Sequence, residues 1–289
     1  MTVLELVRQV AGHLSTAGVS FGHGTTNAFD EAAWLVLWRL GLPLDALDNV
    51  ATHAVLPAQE AQVQALVEQR IHTRKPAAYL TGEAWLQGVP FYVDERVIVP
   101  RSLIAEPLAE GHIDAWLDEH TKRVLDLCTG NGSLAVLAAM AWPDVVVDAA
   151  DLSADALAVA TSNVKRHALQ DRITLHEGDG LHAVAGKRYD LILCNPPYVN
   201  SASMAALPAE YRAEPGLALA GGIDGMDFIR TLLAHAPAHM NEDAVLVLEI
   251  GHERVHFETA FGHLAAVWLP TSAGSDQVLL LTREALLLG

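Results

Sequence analysis

The sequence is poor in cysteine, with only Cys128 and Cys194 among 289 residues. Two cysteines cannot form the disulfide framework of a small secreted domain, and neither lies in a CxxC or Cys/His cluster that would predict structural zinc. The first residues, MTVLELVRQV, contain no cationic stretch followed by an apolar run, so no signal peptide is predicted. We therefore expect a protein of a reducing compartment, the cytoplasm, that holds no metal.

Long hydrophobic runs and positive charge are also scarce. The longest apolar stretches, such as residues 134–142, are far shorter than the roughly 18 residues of a membrane span, so no membrane contact is expected. Lys and Arg number 18 against 35 Asp and Glu, which gives a formal net charge of −17. Stable nucleic-acid binding is not expected, because it needs clustered Lys and Arg to displace counterions. The acid excess suits a basic macromolecular partner or small molecules.

The first part of the chain has a helical pattern. Hydrophobic residues make up 51% of the sequence, which is ample for the core of one large domain or two smaller ones. In residues 1–82, apolar side chains recur at three- and four-residue spacing without strand-like alternation, which predicts a small helical domain. Residues 83–103 follow with two short apolar runs separated by Gly88-Val89-Pro90, and this pattern predicts a β-hairpin linker.

Residues 104–289 show a different pattern, in which continuous apolar strands are separated by helices. This alternation predicts an α/β domain with a parallel sheet covered on both faces. The strands are predicted over residues 124–128, 145–150, 173–175, 191–194, 245–250, 267–269 and 278–282, and the helices over residues 133–141, 154–167 and 224–235. Too few residues join the last two strands for a helix, so they are expected to form an antiparallel hairpin at the sheet edge.

A glycine loop follows the first predicted strand of this sheet. Gly130 and Gly132 permit a tight turn, and they let a ligand approach the backbone amides that begin the next helix. Asp151 comes directly after the second predicted strand, where a carboxylate can accept hydrogen bonds from ribose hydroxyls. The pattern Gly130-x-Gly132-x-x-Ala135 also satisfies a dinucleotide fingerprint. The loop alone is therefore also compatible with a nicotinamide cofactor.

Further acidic residues bear on which ligand binds. Asp126 lies in an apolar strand, and a buried carboxylate is costly unless it meets a partner. The ammonium and sulfonium groups of S-adenosylmethionine are favoured by a nearby acid, whereas the anionic pyrophosphate of a dinucleotide is not. The alternative is that Asp126 only caps the glycine loop. Asp179, after the third strand, either reaches an adenine amino group or belongs to a plain turn. Glu249 is either another acid near the pocket or an edge residue.

The segment Asn195-Pro196-Pro197-Tyr198 follows another predicted strand, at the carboxyl edge where open α/β sheets bind ligands. Its two prolines stiffen the backbone and leave carbonyls free to accept hydrogen bonds. We expect the Asn195 side-chain oxygen and the Pro196 carbonyl to hold the NH₂ group of a carboxamide or a base, with Tyr198 packed against the substrate plane. The nitrogen of such a group is a weak nucleophile, so its alignment with an S–CH₃ bond would supply much of the rate enhancement.

Residues 126–132, Asp151, Asp179 and residues 195–198 together resemble the S-adenosylmethionine-dependent methyltransferases that modify a glutamine side-chain amide in a protein. The resemblance covers nearly the whole chain. It implies a seven-stranded, Rossmann-like methyltransferase domain preceded by a small helical domain and a β-hairpin linker. The Asn-Pro-Pro-Tyr motif is shared with adenine and cytosine amino methyltransferases, so a nucleic-acid substrate stays open at this point.

Two segments indicate a branch of that family. Residues 91–102 and 207–225 are similar to the branch that acts on the third large-subunit ribosomal protein. The sister branch, which acts on peptide release factors, typically has Pro-Arg followed by Pro-Glu-Thr where this chain has Pro100-Arg101-Ser102. Leu103, Asn131 and Ser133 depart from the residues common in the ribosomal branch, but none of them removes a group that the chemistry requires.

The residues and the resemblance together imply a set of roles. The expected cofactor-binding residues are Asp126, Cys128, Thr129, Gly130, Asn131, Gly132, Asp151, Asp179 and Asn195. The expected substrate-binding residues are Asn195, Pro196, Pro197 and Tyr198, of which Asn195, Pro196 and Tyr198 are catalytic. The helical domain is expected to recognise a basic ribosomal protein. Methylation of release factors or of nucleic acid, and cofactor binding without turnover by a ribosome-assembly factor, are the alternatives.

Overall fold

The computed structural model describes residues 1–288, and its first part is helical. The five helices here are α1 (Val3–Thr16), α2 (Ala28–Leu40), α3 (Leu47–Val50), α4 (Pro57–Thr73) and α5 (Ala77–Thr81). They enclose an apolar core of their own, to which Ala156 and Val159 from a later helix also contribute. The predicted helical region is thus confirmed, while its boundary as a separate domain at residue 82 stays a prediction.

Helix α1 shows why this region folds as it does. The Thr2 hydroxyl accepts a hydrogen bond from the Glu5 amide at 3.3 Å, and the Glu5 carboxylate accepts one from the Thr2 amide at 2.8 Å. This reciprocal capping box satisfies two of the amides that a helix start leaves unpaired. The apolar residues at helical spacing form the buried face, which consists of Val3, Leu6, Val7, Val10 and Leu14.

The predicted hairpin is present, but its predicted turn is wrong. Strands β1 (Glu83–Leu86) and β2 (Val89–Tyr92) pair antiparallel, with Leu86 opposite Val89. The turn is therefore Gln87-Gly88, and their φ angles of 50° and 74° both lie in the left-handed region. A two-residue turn of this kind matches the twist of the strands it joins. Pro90 belongs to β2 and is tolerated there because the sheet has only two strands, both of them edges.

A seven-stranded sheet with the order β5-β4-β3-β6-β7-β9-β8 forms the second part of the protein. Its strands are β3 (Arg123–Leu127), β4 (Val146–Asp151), β5 (Ile173–Glu177), β6 (Tyr189–Cys194), β7 (Met240–Glu249), β8 (Val267–Thr271) and β9 (Gly274–Thr282). Strands β3 to β7 run parallel to one another, whereas β9 runs antiparallel to both β7 and β8. The predicted fold and the hairpin at the sheet edge are confirmed.

Helices cover both faces of this sheet. The helices after the linker are α6 (Ala105–Ala109), α7 (Ser133–Ala141), α8 (Ala154–Arg166), α9 (Ser201–Ala206), α10 (Asp227–His235), α11 (Arg254–Phe261) and α12 (Arg283–Leu288). Of these, α9 contains no buried residue and is not one of the covering helices. Successive strand residues, such as Val124 and Leu125, enter two different apolar clusters on opposite faces. Within residues 1–288, none of the helices has the length and apolar character that crossing a membrane requires.

Several predicted boundaries differ by a few residues, and β9 begins at Gly274 and not at 278. Two further differences have identifiable reasons. Strand β7 begins at Met240 and not at 245, because polar residues interrupt the apolar pattern at its exposed start. Helix α10 begins at Asp227 and not at 224. Asp224 instead accepts a hydrogen bond from the Met226 amide at 3.1 Å and so forms a turn ahead of the helix.

The sheet topology fixes where a ligand can bind. Strands β3 and β6 are direct neighbours, with Leu127 opposite Cys194, although they are far apart in the chain. From β3 the chain proceeds outward through β4 and β5, and then returns to the other side of β3 to form β6 and β7. This reversal opens a crevice at the carboxyl ends of β3 and β6, the place where open α/β sheets bind ligands.

Candidate active site

An open cleft lies at this topological switch point. It brings together side chains from the carboxyl ends of β3, β4, β5 and β6, as the sequence predicted. The predicted site residues that line it are Cys128, Thr129, Gly130, Asn131, Asp151, Asp179, Asn195 and Pro197. Asp126, Gly132, Pro196 and Tyr198 are not among the lining residues, and each of them has a different place in the structure.

Asp126 is buried beneath the glycine loop, with only 1% of its surface exposed. Its Oδ2 accepts hydrogen bonds from the Thr129 hydroxyl and from the Ala135 amide, the latter at 2.9 Å. Burial raises the pKa of Asp126 to about 7, against the opposing effect of these hydrogen bonds. This geometry favours the loop-capping alternative, and direct contact of Asp126 with a cofactor stays a prediction.

The two loop glycines face different surroundings. A Cβ on Gly130 would meet no protein atom within 4 Å, so this residue borders open space in the cleft. A Cβ on Gly132 would lie 3.2 Å from the Cβ of Ala160 in α8, so Gly132 permits close packing between the loop and a helix. Both have positive φ, at 55° and 81°, which side-chain-bearing residues rarely adopt.

Asp151 joins the end of β4 to this loop. Its Oδ2 accepts a hydrogen bond from the Gly130 amide at 2.9 Å, and its Oδ1 accepts one from the Ser153 amide at 2.9 Å. Burial raises the pKa of Asp151, while the backbone amides that it accepts from oppose the shift. The carboxylate borders the cleft, where a ribose hydroxyl can donate to it.

Asn131 carries a donor that no protein group satisfies. Its Oδ1 accepts a hydrogen bond from the Ser133 amide at 3.2 Å. Its Nδ2 is buried and has no hydrogen-bond partner among residues 1–288, although the residue lines the cleft and is only 3% exposed. An unpaired buried donor is costly, and a ligand carboxylate would satisfy it. This donor and the acids Asp151 and Asp179 fit an amino-acid nucleoside such as S-adenosylmethionine.

The Asn-Pro-Pro-Tyr segment follows β6 at the same edge of the sheet. Asn195 and Pro197 line the cleft, and Pro196 is buried. Within the part of the chain that the structure describes, no hydrogen bond involves the Asn195 side chain. Its amide is therefore available to a ligand. The Tyr198 hydroxyl instead donates a hydrogen bond to Oε1 of Glu249 at 3.0 Å.

Two walls of the cleft were missed by reasoning from single residues. One comes from the linker and consists of Arg96, Val97, Ile98, Pro100, Arg101 and Ser102, and the other comes from Pro215, Leu217 and Ala218. The family likeness of residues 91–102 and 207–225 was the signal that marks both walls. Phe228, at the start of α10, also lines the cleft, but a lone aromatic residue gave no such signal.

An ion pair between the partly exposed Arg101 and the buried Glu214 joins these two walls. Arg101 donates from Nη1 and Nη2 to the two carboxylate oxygens of Glu214, at 2.6 and 2.8 Å. The same carboxylate accepts a hydrogen bond from the Val99 amide at 2.9 Å. Burial alone would raise the pKa of Glu214, but His23, whose Nε2 lies 3.4 Å from Oε2 of Glu214, and the positive charge of Arg101 outweigh it and hold the pKa at about 2.

Glu249 is a buried acid behind the linker wall and not an exposed edge residue. It accepts hydrogen bonds from the Ser102 hydroxyl at 2.6 Å and from the Leu103 amide at 2.9 Å, in addition to the one from Tyr198. Burial raises the pKa of Glu249, and these hydrogen bonds oppose the shift. Of the two interpretations left open by the sequence, the structure supports a place next to the pocket.

The histidines do not form a metal centre in the described part of the chain. His182, His235 and His239 line a second cavity that also includes Asp179. Within residues 1–288, no group of three or more His, Cys, Asp or Glu side chains has an arrangement that could hold a metal ion.

A matching family model and two similar proteins are all described as methyltransferases. Residues 112–209 match a family model described as "Methyltransferase small domain". The "Ribosomal protein uL3 glutamine methyltransferase" of Bordetella pertussis is 56% identical over 287 residues, which cover 99% of this chain and 96% of that protein. The protein of the same name from Burkholderia pseudomallei is 52% identical, with 97% and 94% covered.

Among solved structures, the "hMettl16 catalytic domain in complex with MAT2A 3'UTR hairpin 1" superposes with a TM-score of 0.50. The sequences are 14% identical, and the match covers 82% of this chain and 83% of that chain. A likeness at this level of identity concerns the fold, and it agrees with the seven-stranded sheet described above.

Proposed function

The chain belongs to the family of ribosomal protein uL3 glutamine methyltransferases, and from that membership we propose its reaction. It transfers a methyl group from S-adenosylmethionine to the side-chain amide nitrogen of a glutamine in ribosomal protein uL3. The observation that carries this proposal is the Asn195 side chain, which borders the cleft directly after β6 and has no hydrogen-bond partner in residues 1–288. An amide acceptor in this position suits a substrate that presents an NH₂ group.

Different residues of the cleft are proposed to bind different parts of the cofactor. S-adenosylmethionine, when bound, supplies an electrophilic methyl group on a positively charged sulfur. We propose that Asp151 accepts from its ribose hydroxyls, that the unpaired Nδ2 of Asn131 donates to its carboxylate, and that Asp179 accepts from its adenine amino group. Cys128, Thr129 and Gly130 form the adjoining loop, while Asp126 and Gly132 keep that loop in shape.

Asn195 and Pro196 provide the orientation that the substrate amide needs. A carboxamide nitrogen attacks carbon poorly because its lone pair is delocalised. If the Asn195 oxygen and the Pro196 carbonyl each accept one N–H, the nitrogen is held in one orientation and gains electron density. Positive charge develops on the nitrogen during attack, and these two acceptors stabilise it. No strong base is required beforehand, because the nitrogen gives up one proton to solvent water once the new N–C bond has formed.

The substrate is proposed to be a basic protein, in keeping with the net charge of −17. The linker wall and the wall of Pro215, Leu217 and Ala218 border the cleft, so they are in a position to contact residues on either side of the glutamine. We propose that the N-terminal helices contribute to recognition of this partner. A ribosomal protein substrate also implies that the reaction takes place in the cytoplasm, without stable nucleic-acid or membrane binding.

Transfer of tritium from labelled S-adenosylmethionine tests this function. Purified protein is incubated separately with uL3, a peptide release factor and DNA, and we expect label in uL3 only. Mass spectrometry then locates the glutamine, and uL3 from cells without this chain should be lighter by one methylene group. A uL3 variant with Ala at that glutamine is the matched control. Label on the release factor or on DNA, with none on uL3, would contradict the proposal.

A further inference from the structure

Tyr198 is surrounded by three glycines that leave no space for a side chain. A Cβ on Gly221 would lie 2.7 Å from the Tyr198 Cα, and one on Gly225 would lie 2.2 Å from the Tyr198 carbonyl oxygen. A Cβ on Gly251 would lie 2.4 Å from the Tyr198 ring. Contacts this short do not occur at real Cβ atoms, so only glycine permits the approach. We refer to these three residues as the glycine socket.

Backbone hydrogen bonds fix one side of this socket to the chain just after the motif. The Val199 amide donates to the Leu219 carbonyl at 2.8 Å, and the Gly221 amide donates to the Val199 carbonyl at 2.9 Å. Together they form a short parallel bridge between Val199 and Ala220. The backbone at Tyr198 is therefore held by a neighbouring backbone segment, in addition to the stiffness of the two prolines.

The Tyr198 hydroxyl is held as well, by the buried carboxylate of Glu249 at 3.0 Å. Glu249 lies at the end of β7 and is 3% exposed. Its other oxygen accepts hydrogen bonds from Ser102 and Leu103, at 2.6 and 2.9 Å. One carboxylate thus connects three parts of the site, namely the sheet, the linker wall and the segment that carries Asn195.

We propose that Tyr198 and Glu249 are positioning residues that fix the Asn195 and Pro196 acceptors relative to the linker wall. The proposal rests on the proposed function, since it concerns how the glutamine amide is aligned for methyl transfer. It assigns Tyr198 a different role from direct packing against the substrate, because Tyr198 does not line the cleft and its hydroxyl already has a partner. Small displacements of aligned groups can cost about 100-fold in rate.

Two conservative variants separate these roles. Tyr198→Phe keeps the ring and removes only the hydroxyl, and Glu249→Gln keeps the shape of the carboxylate and removes its charge. If Tyr198 only packed against the substrate, neither change would matter much. If the hydrogen bond positions the motif, we expect each variant to lower kcat for uL3 methylation by about tenfold or more. The affinity for S-adenosylhomocysteine, measured by calorimetry, should change less than threefold, roughly the size of background effects.

The double variant and two matched controls complete the design. Because both changes disturb the contact between Tyr198 and Glu249, Tyr198→Phe/Glu249→Gln should lower kcat by less than the product of the two single effects. Tyr92→Phe also removes a tyrosine hydroxyl, which donates a hydrogen bond to Asp94 over 2.7 Å. This contact is not part of the Asn-Pro-Pro-Tyr motif, so the variant should keep full activity. Gly221→Ala should lower kcat, whereas Gln170→Ala, at an exposed position on the edge of the sheet opposite the cleft, should not.

The outcomes distinguish this inference from the proposed function. Full activity in both Tyr198→Phe and Glu249→Gln would overturn the positioning role, while methylation of uL3 by the unaltered protein would still support the function. A fall in kcat matched by an equal fall in S-adenosylhomocysteine affinity would also overturn it, because that pattern indicates general damage to the site. Absence of uL3 methylation by the unaltered protein would instead contradict the proposed function.

Discussion

Asp151 closes the glycine loop by accepting a hydrogen bond from the Gly130 amide over 2.9 Å. The contact joins the carboxyl ends of two neighbouring strands, β4 and β3, at the bottom of the cleft. A carboxylate can accept several hydrogen bonds at once. Asp151 is therefore able to hold the loop and to receive a ribose hydroxyl with the same side chain.

Replacing Asp151 should weaken cofactor binding. In Asp151→Asn one oxygen is lost, so the side chain can no longer accept from the Gly130 amide, the Ser153 amide and a ribose together. A hydrogen bond to a charged group contributes about 1.5–3 kcal/mol, and we expect about 10- to 100-fold weaker S-adenosylhomocysteine binding by calorimetry. Glu177→Gln, at the exposed end of β5, is the matched control. Unchanged affinity in Asp151→Asn would contradict the assignment.

Asp126 should make the stability of the protein depend on pH. Its pKa is about 7 in the folded protein against an ordinary 3.8, so between these values the folded state keeps a proton that the unfolded chain has released. The free energy of unfolding should then fall as pH rises through this window, by up to about 4 kcal/mol.

Asp126→Asn removes this dependence because an amide does not titrate. Urea denaturation at about pH 4.5 and about pH 8 should show the variant gaining stability relative to the unaltered protein as pH rises. The variant can still accept from the Ala135 amide through its remaining oxygen. If the two proteins show parallel pH profiles, Asp126 is ionised in the folded state and the account of its burial is wrong.

Arg70 should be essential for stability because it is a buried charge between two acids. It is 0% exposed, and it donates to Glu31 at 2.9 Å and to Glu210 at 3.4 Å. Arg70→Met leaves both carboxylates without this partner, and we expect a loss of about 3–5 kcal/mol in the free energy of unfolding. Lys75→Met, which breaks an exposed pair with Glu95, should cost about 1 kcal/mol or less. Equal losses in the two variants would contradict this prediction.

Much of the fold could be predicted from local patterns. The strands of the sheet are short apolar runs, and Asn195 and Asp151 follow two of them, so their meeting at one edge was foreseeable. The hairpin turn was misplaced because the pattern does not reveal that Gln87 adopts positive φ. The burial of Asp126 was also foreseeable, but its hydrogen bond to the Ala135 amide was not.

The parts of the site that escaped prediction depend on distant pairs. Glu214 meets Arg101, and Glu249 meets both Ser102 and Tyr198, only because the folded sheet and linker bring these segments together. No periodicity or spacing within one segment carries that information. Family likeness marked the segments as distinctive, but the contacts that explain it became visible only in three dimensions.

The central claim is that Asn195 orients the substrate amide, and Asn195→Ala tests it most directly. Methyl transfer to uL3 is measured with tritiated S-adenosylmethionine, and S-adenosylhomocysteine binding is measured on the same preparation by calorimetry. Gln170→Ala removes an exposed amide just before β5, at the edge of the sheet opposite the cleft, and serves as the control. We predict that kcat/KM for uL3 falls by about 100- to 1000-fold while S-adenosylhomocysteine affinity falls much less. Methylation within a few-fold of the unaltered rate would contradict the account.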